Sequence, residues 1–311
     1  MSDCMIVTTV AHEFAAEIER LADFPIRLTA CTSAAEAVQA YSGEKVLFGS
    51  PGMIAEILPK LPGVDWVQSS WAGVTPLIEL DRRDYVLTGV KDVFGPQMSE
   101  YVTGYLLAHE LCILRRAQEQ RSHTWFREHS GTLGGKRLGI MGTGSIGAHI
   151  AATARCLGMH VTGLSRSGAT TDAFDRVFSV ERLHDFLDEV DHLVAVLPQT
   201  PGTDRLLDAA ALARLKDNCC FINVGRSNVV DHDALAEALS AGRIGCAVLD
   251  VFDEEPLPGD SRLWDTPNLL ITAHIAAISH PLLIVPVFVE NYRRWTSGRP
   301  LEYVIDFDAG Y

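Results

Sequence analysis

Three glycines and four charged side chains carry the chemistry this sequence can do. Gly142, Gly144 and Gly147 stand in G-x-G-x-x-G spacing within LGIMGTGSIGAHI, between an apolar run and an alanine-rich one. The spacing has a mechanical reason: the first glycine turns tightly, the second lets backbone approach a pyrophosphate, and the third lets helix and strand pack closely. Ser145 and Ile146 complete the loop, and a helix starting there turns free N–H groups and a positive dipole end toward phosphates. The charged residues come later. FINVGRS presents Arg226, AVLDVFDEEPLP presents Asp250 and Glu255, and NLLITAHIAAIS presents His274. A guanidinium offers a planar fork to a carboxylate, a glutamate can orient and charge an imidazole, and histidine donates a proton near neutral pH. Each of these residues follows a strand-like run, at the edge where open parallel sheets bind ligands. The other histidines, His109 and His192 among them, lie on stretches with no consistent partner and read as surface or core-edge residues.

The elements that must position these groups are short and alternate. CMIVTTV, IRLTA, KVLFGS, VDWVQSS and DYVLTG predict strands separated by helix-type spacing, and the pattern restarts at KRLGIMG and runs through HVTGLS, HLVAVLP, CCFINVG, CAVLDV and LLITAH. Such alternation is the signature of βαβ units on parallel sheets. The predicted fold class is α/β: a Rossmann-type doubly wound parallel sheet domain plus a smaller flavodoxin-like α/β substrate domain. A chain of 311 residues exceeds the roughly 250 that one core supports. Residues 1–96 with 278–311 are expected to form the substrate domain, and 97–277 the dinucleotide-binding domain. One uninterrupted helix is expected in GPQMSEYVTGYLLAHELCILRRAQEQR, which has no proline after its start. The helix-like PLLIVPVFVENYRRWTSG should return the tail to the first domain.

Composition narrows the partners. A formal charge of −14 argues against nucleic acid or an anionic membrane. Seven cysteines are odd in number, and without a C-x-x-C pair or an H-E-x-x-H motif they indicate neither a disulfide framework nor a metal site. Adjacent Cys219 and Cys220 point to opposite faces of a strand and read as core filling. The most apolar late stretch, IAAISHPLLIVPVFVE, is broken by Pro281 and Pro286 and is shorter than the roughly 20 residues of a membrane span. A soluble, cytoplasmic protein is expected.

The end of the second strand of the dinucleotide domain is unusual. An acid about 20 residues beyond the glycines bonds the ribose hydroxyls of NAD and repels a 2′-phosphate. Here GLSRSGATTD has no acid until Asp172, and Ser165, Arg166 and Ser167 offer two hydroxyls and a guanidinium instead. Those groups suit a phosphate, so NADPH is the expected cofactor, with NAD as the weaker alternative.

Taken together, the glycine loop, LPQTPGTDRLLD, NVGRS, LDVFDEEPLP and TAHIAAIS make the whole chain resemble the D-2-hydroxyacid dehydrogenase family. SSWAGV, GPQMSEYV, the SRS segment and the closing AGY resemble its bacterial glyoxylate/hydroxypyruvate reductases of the A type. The resemblance implies reduction of a small 2-keto acid to the D-2-hydroxy acid, with Arg226 as the substrate-binding arginine, Glu255 as the catalytic glutamate and His274 as the acid/base. It implies that the backbone of Ala72 and Gly73 holds the substrate carboxylate. Pro198 and Thr203 would lie beneath the adenosine half, and Val224, Gly225, Arg226, Asp250 and His274 would face the cofactor. Trp71 suggests an aromatic wall that keeps the substrate small. Ala273 departs from the pattern, since many relatives have proline there. The region from Pro96 to about Arg127 corresponds to one that builds a two-fold dimer in relatives, so a homodimer is expected. Two other functions stay open: a dinucleotide-sensing, partner-binding protein like the family's corepressors, and a dehydrogenase of another small acid.

Overall fold

Strand-forming runs such as Cys4–Val7 (CMIV) and Val46–Gly49 (VLFG) carry no polar side chain, and every residue in them is buried. A strand hidden on both faces needs helices on both sides, which is the arrangement of a parallel α/β sheet. The computed structural model describes residues 3–308, and the closing AGY lies outside the described residues. Two units are present, one running to Val93 and resuming at Ser279, the other Phe94–Ile278.

The first unit alternates β1 (Cys4–Val7), α1 (Ala11–Leu21), β2 (Leu28–Cys31), α2 (Ala34–Ala40), β3 (Val46–Gly49), α3 (Pro51–Ile57), β4 (Trp66–Ser69), α4 (Thr75–Ile78) and β5 (Val86–Thr88). Its sheet is parallel with order β2-β1-β3-β4-β5, the flavodoxin-like order. The second unit holds α5 (Gly95–Glu110), α6 (Ile113–Arg121), β6 (Arg137–Met141), α7 (Ser145–Cys156), β7 (His160–Ser165), β8 (Arg176–Ser179), α8 (Leu183–Glu189), β9 (His192–Ala195), α9 (Ala209–Leu212), β10 (Cys220–Asn223), α10 (His232–Ser240), β11 (Cys246–Leu249) and β12 (Leu269–Ile271). The order of its parallel strands is β12-β11-β10-β9-β6-β7-β8. The chain leaves β6 toward one edge through β7 and β8, then returns to β9 on the other side. That reversal between β6 and β9 is the switch point where a doubly wound sheet opens a crevice for a ligand.

The tail forms α11 (Pro281–Thr296) in the first unit. Its buried stripe includes Ile284, Val285, Phe288 and Val289. Phe288 stacks on Phe48 with centroids 4.4 Å apart and on Trp66 at 5.7 Å; burial of one such ring contributes roughly 1.5–3 kcal/mol. No helix among the described residues is long and apolar enough to cross a membrane.

Three features differ from the sequence expectation. The unit boundaries fall at Val93/Phe94 and Ile278/Ser279, because α5 takes Pro96 into its first turn, where a proline loses no hydrogen bond. The expected single helix is broken: Cys112 adopts φ 52, and Arg116 satisfies the carbonyl of Leu111 at 2.9 Å while also donating to Glu128 O at 2.8 Å. The arm thereby folds back without any glycine or proline to announce the turn. β8 was not expected from RVFS. It is an edge strand with one neighbour, β7, and of its residues only Phe178 is fully buried, beneath the Arg176 guanidinium.

Candidate active site

The glycine loop leaves the carboxyl end of β6 in a conformation that side chains would forbid. Gly142 has φ +110, and a Cβ there would meet Val196 O at 2.5 Å. At Gly147 a Cβ would lie 2.0 Å from Gly142 O, so the start of α7 rests directly on the turn. Gly144 has nothing within 4 Å of the place its Cβ would take. No side chain caps α7, and its first N–H groups, beginning at Ser145 and Ile146, have no partner within the helix. An open Gly144 beside an uncapped helix start fits a pyrophosphate. At the next strand end, Ser165 Oγ accepts from Gly168 N (3.1 Å) and Ser167 Oγ from Ala169 N (3.3 Å). Both hydroxyls keep their hydrogens to donate. Arg166 between them is exposed and makes no ion pair among the described residues.

The ends of β9 and β10 are locked to each other. Thr203 Oγ1 donates to Pro198 O (2.8 Å) and accepts from Thr200 N (3.0 Å), closing a small loop. A Cβ on Gly225 would come within 2.7 Å of Leu197 N, so Val224 and Gly225 bring the β10 loop against the β9 loop. Arg226 follows and donates from Nη1 to Gly225 O at 2.7 Å. Burial pulls its guanidinium below the usual arginine range, and the Glu255 carboxylate pushes the other way. It stays charged, with further N–H groups to offer a carboxylate.

Asp250, at the end of β11, is 2% exposed and its carboxylate is fully engaged. Oδ1 accepts from Thr272 Oγ1 (2.6 Å) and Ile275 N (2.8 Å), and Oδ2 accepts from Ala276 N (2.9 Å). These bonds fix the loop after β12. His274 sits in that loop with φ 55, and its N–H donates to Asp250 O at 2.8 Å. Glu255 Oε1 accepts from Phe252 N (2.9 Å), while Oε2 lies 2.8 Å from His274 Nδ1. Two carboxylates therefore divide the work: Asp250 shapes the backbone and Glu255 aims the ring. Both side chains of the His274–Glu255 pair are 37% exposed, so the ring can exchange protons with a small molecule. Glu254 has no part in this pair.

The second unit thus gathers Gly142 to Gly147, Ser165 to Ser167, Pro198 with Thr203, Val224 to Arg226, Asp250, Glu255 and His274 on the carboxyl edge of one sheet. Trp71, Ala72 and Gly73 belong to the first unit, in the loop that leaves β4. There Ser69 Oγ accepts from Trp71 N (3.0 Å) and donates to Trp71 O (2.9 Å), leaving the indole 44% exposed.

Sequence reasoning missed a second cluster in the same unit. His109, Glu110 and His192 bring ligand-type atoms within 4.8 Å of one another. Their protons argue against a cation: Cys220 N–H donates to His192 Nδ1 at 3.2 Å, which leaves the proton on Nε2, facing Glu110 Oε1 at 3.0 Å. The Lys136 ammonium is 2.6 Å from that same oxygen. The only signal in the sequence was an acid beside a histidine on a helix, which is too common to use.

Comparison with known proteins agrees with this geometry. The family described as "D-isomer specific 2-hydroxyacid dehydrogenase, NAD binding domain" matches residues 103–276. A glyoxylate/hydroxypyruvate reductase A of Serratia proteamaculans is 32% identical over 245 residues, covering 77% of this chain and 74% of that protein. Among solved structures, a D-isomer specific 2-hydroxyacid dehydrogenase family protein from Aeromonas salmonicida superposes with a TM-score of 0.94 at 37% identity, covering 99% of this chain and all of that one. An NADPH-dependent glyoxylate/hydroxypyruvate reductase from Sinorhizobium meliloti, solved with NADP and sulfate, gives 0.87 at 29% identity, with 99% of this chain and 100% of that chain covered. With a matched region longer than half its length and a glycine loop built for a dinucleotide, the chain belongs to the D-isomer specific 2-hydroxyacid dehydrogenase family.

Proposed function

We propose that the protein reduces a small 2-keto acid of the glyoxylate or hydroxypyruvate type to the D-2-hydroxy acid, with NADPH as reductant. The observation that carries this reading is the His274–Glu255 pair at 2.8 Å, held at a strand end beside a glycine loop. The reduced dinucleotide, when bound, supplies a hydride to the carbonyl carbon. Gly142, Gly144, Ser145, Ile146 and Gly147 hold its pyrophosphate, and Val224, Gly225, Pro198 and Thr203 line its path. Arg226 binds the substrate carboxylate through its planar fork. Glu255 keeps His274 oriented through Nδ1, and Nε2 delivers the proton to the oxygen that gains negative charge. Ser165, Arg166 and Ser167 bind the 2′-phosphate. The Sinorhizobium meliloti enzyme's use of NADPH supports that choice of cofactor.

A panel of 2-keto acids assayed with NADPH and NADH tests the reading. Consumption of NADPH with glyoxylate or hydroxypyruvate, faster than with NADH, is the expected result. No turnover on any keto acid would instead favour a dinucleotide-sensing role. The arm after α5 leaves Leu111, Ile113, Leu114 and Trp125 exposed, the last at 84%, and a second copy of the chain covers them in the proposed homodimer. A sedimentation mass near one subunit at micromolar concentration would contradict that assembly.

A further inference from the structure

Away from the strand ends that carry His274, the second unit contains a cavity of about 890 Å³ whose lining includes His109, Cys246, Glu110 and Lys136, together with Leu114 of the arm that the proposed homodimer covers. Cys246 opens β11 and faces Cys220, its register partner on β10. His109 Nδ1 lies 3.2 Å from Cys246 Sγ, and Nε2 lies 3.1 Å from Asn218 O. A carbonyl can only accept, so Nε2 carries a proton and Nδ1 is the atom that takes one from the thiol. The ring is held in this position by design of the backbone: a Cβ on Gly245 would meet His109 Cε1 at 3.1 Å. This is a thiol with a positioned base whose tautomer is fixed from behind, the arrangement that activates cysteine.

We propose that Cys246 is a reactive thiolate, paired with protonated His109, and that a small hydroperoxide entering the cavity oxidises it to a sulfenic acid. The sulfur attacks the terminal oxygen of the peroxide; an S–O bond forms as the O–O bond breaks, its electron pair leaving on the departing oxygen. His109 returns the Nδ1 proton to that oxygen, so sulfur is oxidised and the peroxide is reduced to an alcohol or water.

The surrounding charges agree in direction. The Cys220 thiol, by hydrogen bonding, and His109 hold the Cys246 thiol below its usual value against the opposing effect of burial, while Glu110 pushes it up. The partnership with Cys246 raises His109 and outweighs its burial. Cys220 is raised by that hydrogen bond and by burial, and so remains the protonated donor. Lys136 offsets the Glu110 charge at 2.6 Å. His192, fully buried and pushed down to about 4, adds no positive charge near neutral pH.

Alkylation of the native protein by iodoacetamide, read peptide by peptide, tests the pairing. Between about pH 7 and about pH 9 the rate at Cys246 should change less than about twofold, while added N-acetylcysteine speeds up roughly twentyfold as its thiolate fraction grows. His109→Gln should make the Cys246 profile steeper than in the unmodified protein, the Cys220 hydrogen bond still lowering the thiol in part, with an unchanged thermal transition showing that the fold survives. Hydrogen peroxide followed by dimedone should label Cys246 ahead of exposed Cys156. A Cys246 rate that rises in parallel with N-acetylcysteine, a flat profile that persists in His109→Gln, no reaction of Cys246 in the folded protein, or dimedone on Cys156 alone would overturn the proposal.

Discussion

The second unit holds two histidine–glutamate pairs of nearly equal length and opposite character. His274 Nδ1 and Glu255 Oε2 are 2.8 Å apart with both side chains 37% exposed, whereas His192 Nε2 and Glu110 Oε1 are 3.0 Å apart and 0% and 2% exposed. The exposed ring is open to water and to a small molecule. The buried ring is not: desolvation pushes its pKa down to about 4, and Glu110 only partly restores it, so it stays neutral at physiological pH. Residue type and pairing distance do not separate the proposed proton donor from a structural histidine; access to water does.

Removing each glutamate should therefore have crossed effects. Glu110→Ala leaves Lys136 and buried His192 without the carboxylate oxygen they share, and should cost about 3 kcal/mol of stability, seen as a lower denaturant midpoint, while turnover per folded molecule persists. Glu255→Ala should leave the midpoint nearly unchanged and lower kcat roughly a hundredfold. A large loss of turnover without loss of stability in Glu110→Ala would break the comparison.

Acid should sharpen it. The folded value for His192, about 4, lies below the unfolded value of about 6.5, so below the latter pH the unfolded chain binds a proton that the folded chain refuses. Stability falls as pH drops from about 6.5 through about 4, by roughly 3 kcal/mol in full. In His192→Asn, whose amide oxygen takes the place of Nδ1 as acceptor for Cys220 N–H, that part of the acid loss should vanish; an identical acid dependence would contradict the burial argument.

The smallest expected effect concerns the cofactor. Arg166→Ala should weaken NADPH roughly ten- to a hundredfold, the equivalent of one hydrogen bond to a charged group, and leave NADH almost unchanged. Equal losses for both, measured by fluorescence titration, would show that Arg166 does not read the phosphate.

These contrasts mark what a sequence can disclose. Arg226, Glu255 and His274 were legible because each follows a strand-like run, so an alternating pattern alone puts them near one sheet edge. The glycine loop was legible because its spacing answers a local steric demand, seen in the Cβ of Gly147 meeting Gly142 O. The turn at Cys112 was not, because helix periodicity continues across it and the stabilising Arg116 contacts depend on an arm that folds back. Cys246 and His109 stand 137 positions apart, and only the packing of α5 on the sheet brings them together. Asp250 was legible as a position and not as a role, since its hydrogen bonds to Ile275 and Ala276 exist only once the loop after β12 is built.

The central claim is that His274 delivers the proton during reduction of a keto acid, and His274→Ala tests it most directly. NADPH consumption with glyoxylate should fall by roughly 10²- to 10⁴-fold, while NADPH titrated into the same variant binds almost as it does to the unmodified protein. Turnover that survives the substitution, with cofactor binding intact, would contradict the account.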